Sequence, residues 1–347
     1  KYEIQHSWSE YFVIINVLKV IKVAIMSSIL SFVNHNKLGF INILLLPLSL
    51  IFFILSSLRR WLYRVGIIKV NHSSVPVVVV GNVTAGGSGK TPIVIAIVNY
   101  FTSQNKKVGV VSRGYGGDYT QESLEVTHLS NPRECGDEPI LIAQHTNANV
   151  VVAKKRSNAV KFLTKNYNLD IIISDDGLQH YSMGRDLEIA VVEGVNRFGN
   201  GLFLPSGPLR ESISRLKSVD IIINNGSRAD GEVSSQLEAE SYTNLLTSET
   251  KKLDYFKNIN CYAVAGIGSP ENFYKMLEDQ GAKLTTKSFP DHHLFIEDDL
   301  VFKEDYPILM TAKDCVKCKH FATSQMWYLN VSAKLSLDFY EQLESKL

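Results

Sequence analysis
The chain has 347 residues, 45% of them apolar and 20% charged, which is enough to bury one large or two modest hydrophobic cores. Its four cysteines, Cys135, Cys261, Cys315 and Cys318, are too few and too scattered for a disulfide framework, and the lone C-x-x-C at Cys315–Cys318 lacks the second pair that closes a zinc site. The net charge of +1 conceals an asymmetry: residues 1–117 carry 12 Lys/Arg against 2 acidic residues, a net of +10 that leaves −9 for residues 118–347. A basic, apolar opening ahead of an acidic body suits a protein that meets an anionic surface at one end.

Residues 1–74 read as an apolar, basic, membrane-anchoring segment. Tyr11–Val33 is apolar but broken by Lys19 and Lys22. Met26 stands inside it, in a chain that opens on Lys1, and is the expected natural start, with residues 1–25 upstream of it. Leu38–Leu58 then runs 21 residues without a charge and is closed by Arg59, Arg60, Trp61, Tyr63 and Arg64. Such a length can cross a hydrocarbon core, and arginines beside Trp and Tyr form an interfacial anchor. Pro47 should kink a helix there, so the segment either spans once or bends and lies in one leaflet. A buried core helix is the competing reading.

From Val75 the pattern becomes short apolar runs alternating with helical segments. Val75–Val83, Val108–Ser112, Val150–Ala153, Leu169–Ser174, Leu187–Val192 and Val219–Asn224 read as strands buried on both faces. Residues 90–103, 137–146, 157–166 and 208–217 read as the helices between them. That alternation predicts an α/β fold with a parallel sheet, helices on both sides and ligands at the carboxyl ends of the strands. The predicted core spans 75–229. A polar, Ser/Glu-rich connection follows at 230–257, then a smaller α/β lobe over 258–347 with strands at Cys261–Ala265, Leu284–Ser288, Pro307–Thr311 and Trp327–Val331.

One strand runs into Gly81-Asn82-Val83-Thr84-Ala85-Gly86-Gly87-Ser88-Gly89-Lys90-Thr91. Glycines allow a backbone turn whose N–H groups converge on phosphate oxygens. Lys90 then reaches the β- and γ-phosphates and the Thr91 hydroxyl ligates Mg²⁺. Gly86, Gly87, Ser88 and Gly89 complete the cradle, although the strict pattern wants glycine where Thr84 stands. A second strand ends Ile173-Ser174-Asp175-Asp176-Gly177, where Asp175, helped by Asp176, is placed to orient Mg²⁺. ATP and Mg²⁺ are therefore the expected cofactors. The guanine-reading N/T-K-x-D element is missing, since Thr311-Ala312-Lys313-Asp314 puts Lys directly before Asp. The signature lysine of partitioning ATPases is also missing, with Ala85 in its place. A kinase for a small molecule or a lipid is left. The main competing reading is a soluble P-loop kinase for another sugar or a nucleoside.

The blocks Val80–Pro92 (VGNVTAGGSGKTP), Ser112–Gly116 (SRGYG), Gly136–Ala143 (GDEPILIA), Asp175–His180 (DDGLQH), Leu204–Glu211 (LPSGPLRE), Phe289–His292 (FPDH) and Met310–Lys317 (MTAKDCVK) stand in the order seen in the lipid A 4'-kinase (tetraacyldisaccharide 4'-kinase) family. The chain resembles that family from about residue 40 to its end. The resemblance implies a Rossmann-like core, a smaller C-terminal lobe, and MgATP-dependent phosphorylation of the 4'-hydroxyl of a tetraacylated disaccharide 1-phosphate, a lipid A precursor. It places the enzyme at the cytoplasmic face of the bacterial inner membrane, in contact with its lipids. Nothing points to nucleic acid or to a protein partner.

The resemblance also makes Asp137 a catalytic carboxylate paired with the histidine of FPDH, which motif order assigns to His292 rather than His293. From the residues alone Asp137 has a competing role as a helix cap. Arg156 and Arg210, from among Arg113, Arg156, Arg185 and Arg210, are implied at the acceptor's phosphate or the transferring group. Glu138, Gln179 and His180 are the remaining expected site liners.

Overall fold
The computed structural model describes residues 38–227 and 229–347, so Met26 and the apolar stretch Tyr11–Val33 lie outside the described residues. The chain divides into two compact units, one formed by residues up to Arg59 with Phe198–Ile213, the other by Arg60–Arg197 with Ser214–Leu347.

In the first unit the apolar run folds as α1 (Phe40–Leu44) and the start of α2 (Leu46–Arg64). The break falls at Leu45, which puts Pro47 in the first turn of α2, where a missing backbone N–H costs nothing. The faces are inverted relative to a core helix. Asn42 and Ser49 are the buried residues, whereas Leu48, Leu50, Ile51, Ile54, Leu55 and Leu58 are exposed. Asn42 Nδ2 donates to the Ser206 carbonyl at 2.6 Å, and Ser49 Oγ donates to the Phe203 carbonyl at 2.8 Å. Phe53 packs on Phe203 with ring centroids 4.7 Å apart. A buried core helix would show the reverse pattern. By length and composition α2 is able to cross a membrane.

The second unit is built on one mixed sheet. Along the chain it comprises β1 (Val77–Gly81), α3 (Lys90–Ser103), β2 (Val108–Ser112), β3 (Leu124–Val126), α4 (Pro132–Cys135), α5 (Asp137–His145), β4 (Asn149–Val152), α6 (Arg156–Asn166), β5 (Ile171–Ser174), β6 (Leu187–Glu193), β7 (Ile221–Asn225), β8 (Val233–Asn244) and β9 (Thr250–Lys251). It continues with β10 (Asn260–Ala265), α7 (Pro270–Asp279), β11 (Lys283–Ser288), β12 (Ile308–Thr311), α8 (Ala312–Cys318), β13 (Met326–Leu335) and α9 (Leu337–Ser345). The strand order is β11-β10-β12-β13-β8-β7-β6-β1-β5-β2-β4-β3, with β9 on β8. The central strands are parallel and fully buried, as the unbroken Val/Ile runs require: Val78 pairs with Ile173 on one side and Leu187 on the other.

β8 and β13 pair antiparallel and form the seam between two halves that are parallel apart from the short strands β3 and β9. The reversal would send the carboxyl ends of the two halves in opposite directions in a flat sheet. Seven steps separate β12 from β2 in the order, and at roughly 20–25° of twist per step this accumulates to about 140–175°. Twist therefore offsets the reversal, and loops from both halves reach one site.

Two expectations are corrected. Residues 208–217 form no α-helix; a 3₁₀ turn covers Ile213–Ser218, because Arg215 is buried in an ion pair with Glu188 of β6 and holds the segment in that shape. The polar stretch 230–257 is not mere connection. It holds β8, whose inward positions Val233 and Ser235 alternate with outward Ser234 and Gln236, a strand pattern masked by small and acidic residues.

Candidate active site
Most candidate residues follow the carboxyl ends of β1, β5, β11 and β12, while Asp137 and Glu138 open α5 and Arg156 opens α6. The loop after β1 closes tightly on the start of α3. Gly89 takes φ +74°, and a Cβ there would lie 2.1 Å from Asn225 Nδ2, which itself donates to the Ser88 carbonyl at 3.1 Å. No other residue type fits. Asn82 Nδ2 braces the loop from inside by donating to Ser88 Oγ at 3.2 Å, and Gln179 Nε2 donates to the Asn82 carbonyl at 2.9 Å. Gly86 and Gly87 remain exposed at the rim, while Lys90 and Thr91 sit half-buried at the floor.

Lys90 Nζ lies 3.5 Å from Asp176, tying the loop to the end of β5. The neighbouring Asp175 is buried. Its Oδ2 accepts from Ser112 Oγ at 3.3 Å, and its Oδ1 has no hydrogen-bond partner. Burial, then the carboxylates of Glu138 and Asp176, push its pKa up to about 7 against the pull of Lys90 and Arg156. An orphaned carboxylate oxygen among other carboxylates is the donor chemistry of a hard divalent cation. Among the described residues no three His, Cys, Asp or Glu side chains converge as a cage. Mg²⁺ suits such a place, since it takes one or two carboxylates and completes its shell with phosphate oxygens and water. Thr91, Asp175 and Asp176 fit that role.

Arg156 departs from expectation. It is 1% exposed, and its guanidinium donates to the backbone carbonyls of Asp175 at 2.7 Å and Asp176 at 3.3 Å. Burial lowers its pKa to about 10, against the charges of Asp175 and Asp176. A side chain so enclosed props the carboxylate loop from beneath and presents no surface to an acceptor. Arg210 belongs to the first unit, on a half-buried bend. His180 donates its backbone N–H to Gly177, and its carbonyl accepts from Arg185 at 2.6 Å.

The structure brings Asp137 and His292 together across 155 residues of chain, with Oδ2 3.4 Å from Nδ1. Gly136, at φ +83°, lets the backbone pass the Tyr115 carbonyl, where a Cβ would come within 2.5 Å, and so sets Asp137 at the start of α5. Burial works against the charge of Asp137, but His292, Lys313 and Lys317 outweigh it and hold the carboxyl below its ordinary range. Burial likewise opposes protonation of His292. The bond to Asp137 and the charges of Asp137 and Asp291 prevail over Lys313, so its pKa is raised above 6.5. His293 is occupied elsewhere: its Nε2 lies 2.8 Å from Asp299 and its ring stacks on Phe289.

Sequence reasoning missed Lys313, whose ammonium lies 3.2 Å from Glu138 Oε1, 3.4 Å from Asp291 Oδ1 and 3.4 Å from His292 Nε2. It also missed the buried pair Lys317–Asp314, 2.7 Å apart, which lies behind Asp137. The available signal was the block Met310–Lys317, which sits at a strand end.

Residues 41–347 match the family described as Tetraacyldisaccharide-1-P 4'-kinase. The chain belongs to the tetraacyldisaccharide-1-P 4'-kinase family. It is 54% identical over 314 residues to a tetraacyldisaccharide 4'-kinase of Ruthia magnifica, a match covering 90% of this chain and 100% of that protein. It is 46% identical over 297 residues to one of Actinobacillus pleuropneumoniae serotype 5b, covering 84% and 91%. A crystal structure titled as the "apo" form of LpxK from Aquifex aeolicus in complex with ATP superposes with a TM-score of 0.75 at 27% identity, covering 88% of this chain and 99% of that one. A member of this kinase family therefore carries the phosphate loop, the carboxylate pair after β5 and the Asp137–His292 contact described above.

Proposed function
We infer that the protein is an ATP-dependent kinase that transfers the γ-phosphate to the 4'-hydroxyl of a tetraacyldisaccharide 1-phosphate, a lipid A precursor. The observation that carries the reading is the meeting of two devices in one unit: a phosphate loop at β1 and an acid–base pair from α5 and the loop after β11.

A sugar hydroxyl is a poor nucleophile at neutral pH, so an acceptor-side base lowers the barrier. Asp137 holds the Nδ1 proton of His292 and fixes that tautomer, which leaves Nε2 to take the hydroxyl proton as its oxygen attacks the γ-phosphorus. Lys90 and the loop N–H groups neutralise the phosphate oxygens. Thr91, Asp175 and Asp176 would hold Mg²⁺, which would supply further charge neutralisation at those oxygens. Gln179 braces the loop, and Glu138 holds the Lys313 ammonium beside the base.

The outward apolar face of α2, ending at Arg59, Arg60, Trp61 and Arg64, supports membrane association at the cytoplasmic face of the inner membrane, where the lipid acceptor is presented. Assays with MgATP should give turnover on detergent-dispersed acceptor and none on water-soluble sugars; the opposite pattern would overturn the reading. Asp137→Ala and His292→Ala should each depress the chemical step while MgATP still binds, and the double variant should be little worse than the worse single. Additive losses would mean that the two residues have separate jobs. His293→Ala is the control, with a mild effect expected.

A further inference from the structure
The mechanism gives no chemical task to the cation beside Nε2. Lys313 stands in the first turn of α8, directly after β12, with its side chain 18% exposed. Its ammonium is held by Glu138 on α5 and Asp291 on the loop after β11, and it faces Nε2, the nitrogen that must receive the acceptor's proton. Burial opposes its charge, but Glu138, Asp137 and Asp291 raise its pKa above the ordinary lysine value, so it is an ammonium at every pH at which the kinase works.

Every charged or titratable group around His292 belongs to this balance. From α5, Asp137 faces Nδ1 at 3.4 Å. From α8, Lys313 faces Nε2 at 3.4 Å, while Lys317 reaches Asp137 Oδ2 at 3.8 Å. From the imidazole's own loop, the Asp291 carboxylate lies 3.8 Å from Nε2. From the loop after β2, the Tyr115 ring lies 4.9 Å from the imidazole. Two carboxylates alone would draw a proton onto both ring nitrogens, and an imidazolium accepts nothing. The ammonium opposes them at the nitrogen where a lone pair is needed.

We propose that Lys313 is a positioning residue for the base: its ammonium, standing at Nε2 opposite Asp137, holds that nitrogen unprotonated and ties the His292 loop to Glu138 of α5. The proposal rests on the reading of His292 as the base. One proton stays on Nδ1, shared with Asp137. When the acceptor hydroxyl takes the ammonium's place at Nε2, its O–H bond breaks, the proton passes to Nε2, its oxygen bonds the γ-phosphorus and ADP leaves. The ammonium makes the imidazolium that forms short-lived, since the two like charges favour its return to the neutral state. Loop anchoring through Glu138 and Asp291 is the second half of the role, and it survives replacement of Lys by Arg.

The test is a set of pH–rate profiles at saturating MgATP for the wild type, Lys313→Met, Lys313→Gln, Lys313→Arg and His292→Ala, with thermal melts to identify folded variants. Gln keeps a hydrogen-bond donor for Glu138 without the charge and covers the case in which Met does not fold. Both neutral variants should move the acidic limb upward by about one pH unit, a tenfold loss on its acidic side that is recovered at alkaline pH. Arg should leave the limb in place, the KM for ATP should stay within about twofold throughout, and the His292 ring titration by NMR should move with the limb. A uniform loss at all pH values with an unmoved limb would reduce Lys313 to a structural tie and overturn the proposal, as would a downward shift. If His292→Ala keeps the limb, the base reading falls; if His292→Ala removes the limb and the neutral Lys313 variants leave it in place, only the present proposal falls.

Discussion

Helices α2 and α3 are both apolar, both carry a proline in their first turns, and they end with opposite faces turned to the protein. α3 buries Ile93, Val94, Ile97, Val98 and Phe101 against the sheet, whereas α2 buries Ser49 and leaves its leucines and isoleucines outside. The contrast teaches that apolar composition fixes only that a helix must leave water. What covers it is settled by its partners. Around α3 the partners are Val/Ile strands; around Ser49 they are the Phe203 carbonyl and the Ser206 hydroxyl, which fix which face of α2 turns inward.

The largest test of this contrast acts where α3 begins. Lys90→Ala removes a phosphate contact at the first residue of α3, so kcat should fall by several powers of ten while the variant stays folded. Near wild-type turnover would show that the start of α3 is no phosphate site. Next comes the outer face of α2. Replacing Leu50 and Ile54 together by Asp should lower partitioning into anionic vesicles at least ~100-fold, since each acid at a membrane centre costs about 2.5–3.5 kcal/mol. Equal sedimentation with vesicles before and after the change would break the membrane reading.

The contrast then sharpens at equal chemistry. Ile97→Ala should cost about 2–5 kcal/mol of stability through the cavity it leaves, while Ile54→Ala in detergent should stay within about 0.5 kcal/mol. Chemical denaturation measures both, and similar costs would mean that α2 is packed like a core helix.

The smallest effect separates two kinds of buried polar group. Ser49→Ala should cost about 1 kcal/mol at any pH, because its hydrogen bonds carry no charge. The Asp137–His292 pair titrates. With the folded pKa of His292 raised above 6.5, its stabilisation is complete below 6.5 and is lost as pH rises through the folded value. Asp137, held below 3.8, stays ionised throughout that window, and its own stabilisation fails only in acid. Turnover should move the other way, rising as His292 loses its proton. Melting temperatures and rates followed across this range should cross, and parallel curves would contradict the base assignment.

Much of the parallel core was legible in local pattern. The runs at 108–112, 169–174 and 187–192 became β2, β5 and β6 because a short run rich in Val and Ile has no stable place except a strand covered on both faces. The glycine turn between β1 and α3 was equally legible, since Gly86 and Gly89 meet a local requirement of the backbone. β8 was hidden because inward Ser235 reads as surface until β7 and β13 close over it. Arg156 was misplaced for the converse reason, since an arginine reads as exposed until the carbonyls that enclose it are known.

By itself, then, the sequence determined the family, the strand runs that became the central sheet and the glycine turn between β1 and α3, because each depends on residues adjacent in the chain. The tertiary structure decided which face of α2 is inside, that Arg156 is a prop, that His292 and not His293 meets Asp137, and that Lys313 stands at Nε2. Each of these depends on groups distant in sequence, and for His292 and Lys313 the seam at β8–β13 and the twist of the sheet carry them to Asp137 and Glu138. A side chain's charge state and orientation follow from that company, which no local pattern of residues records.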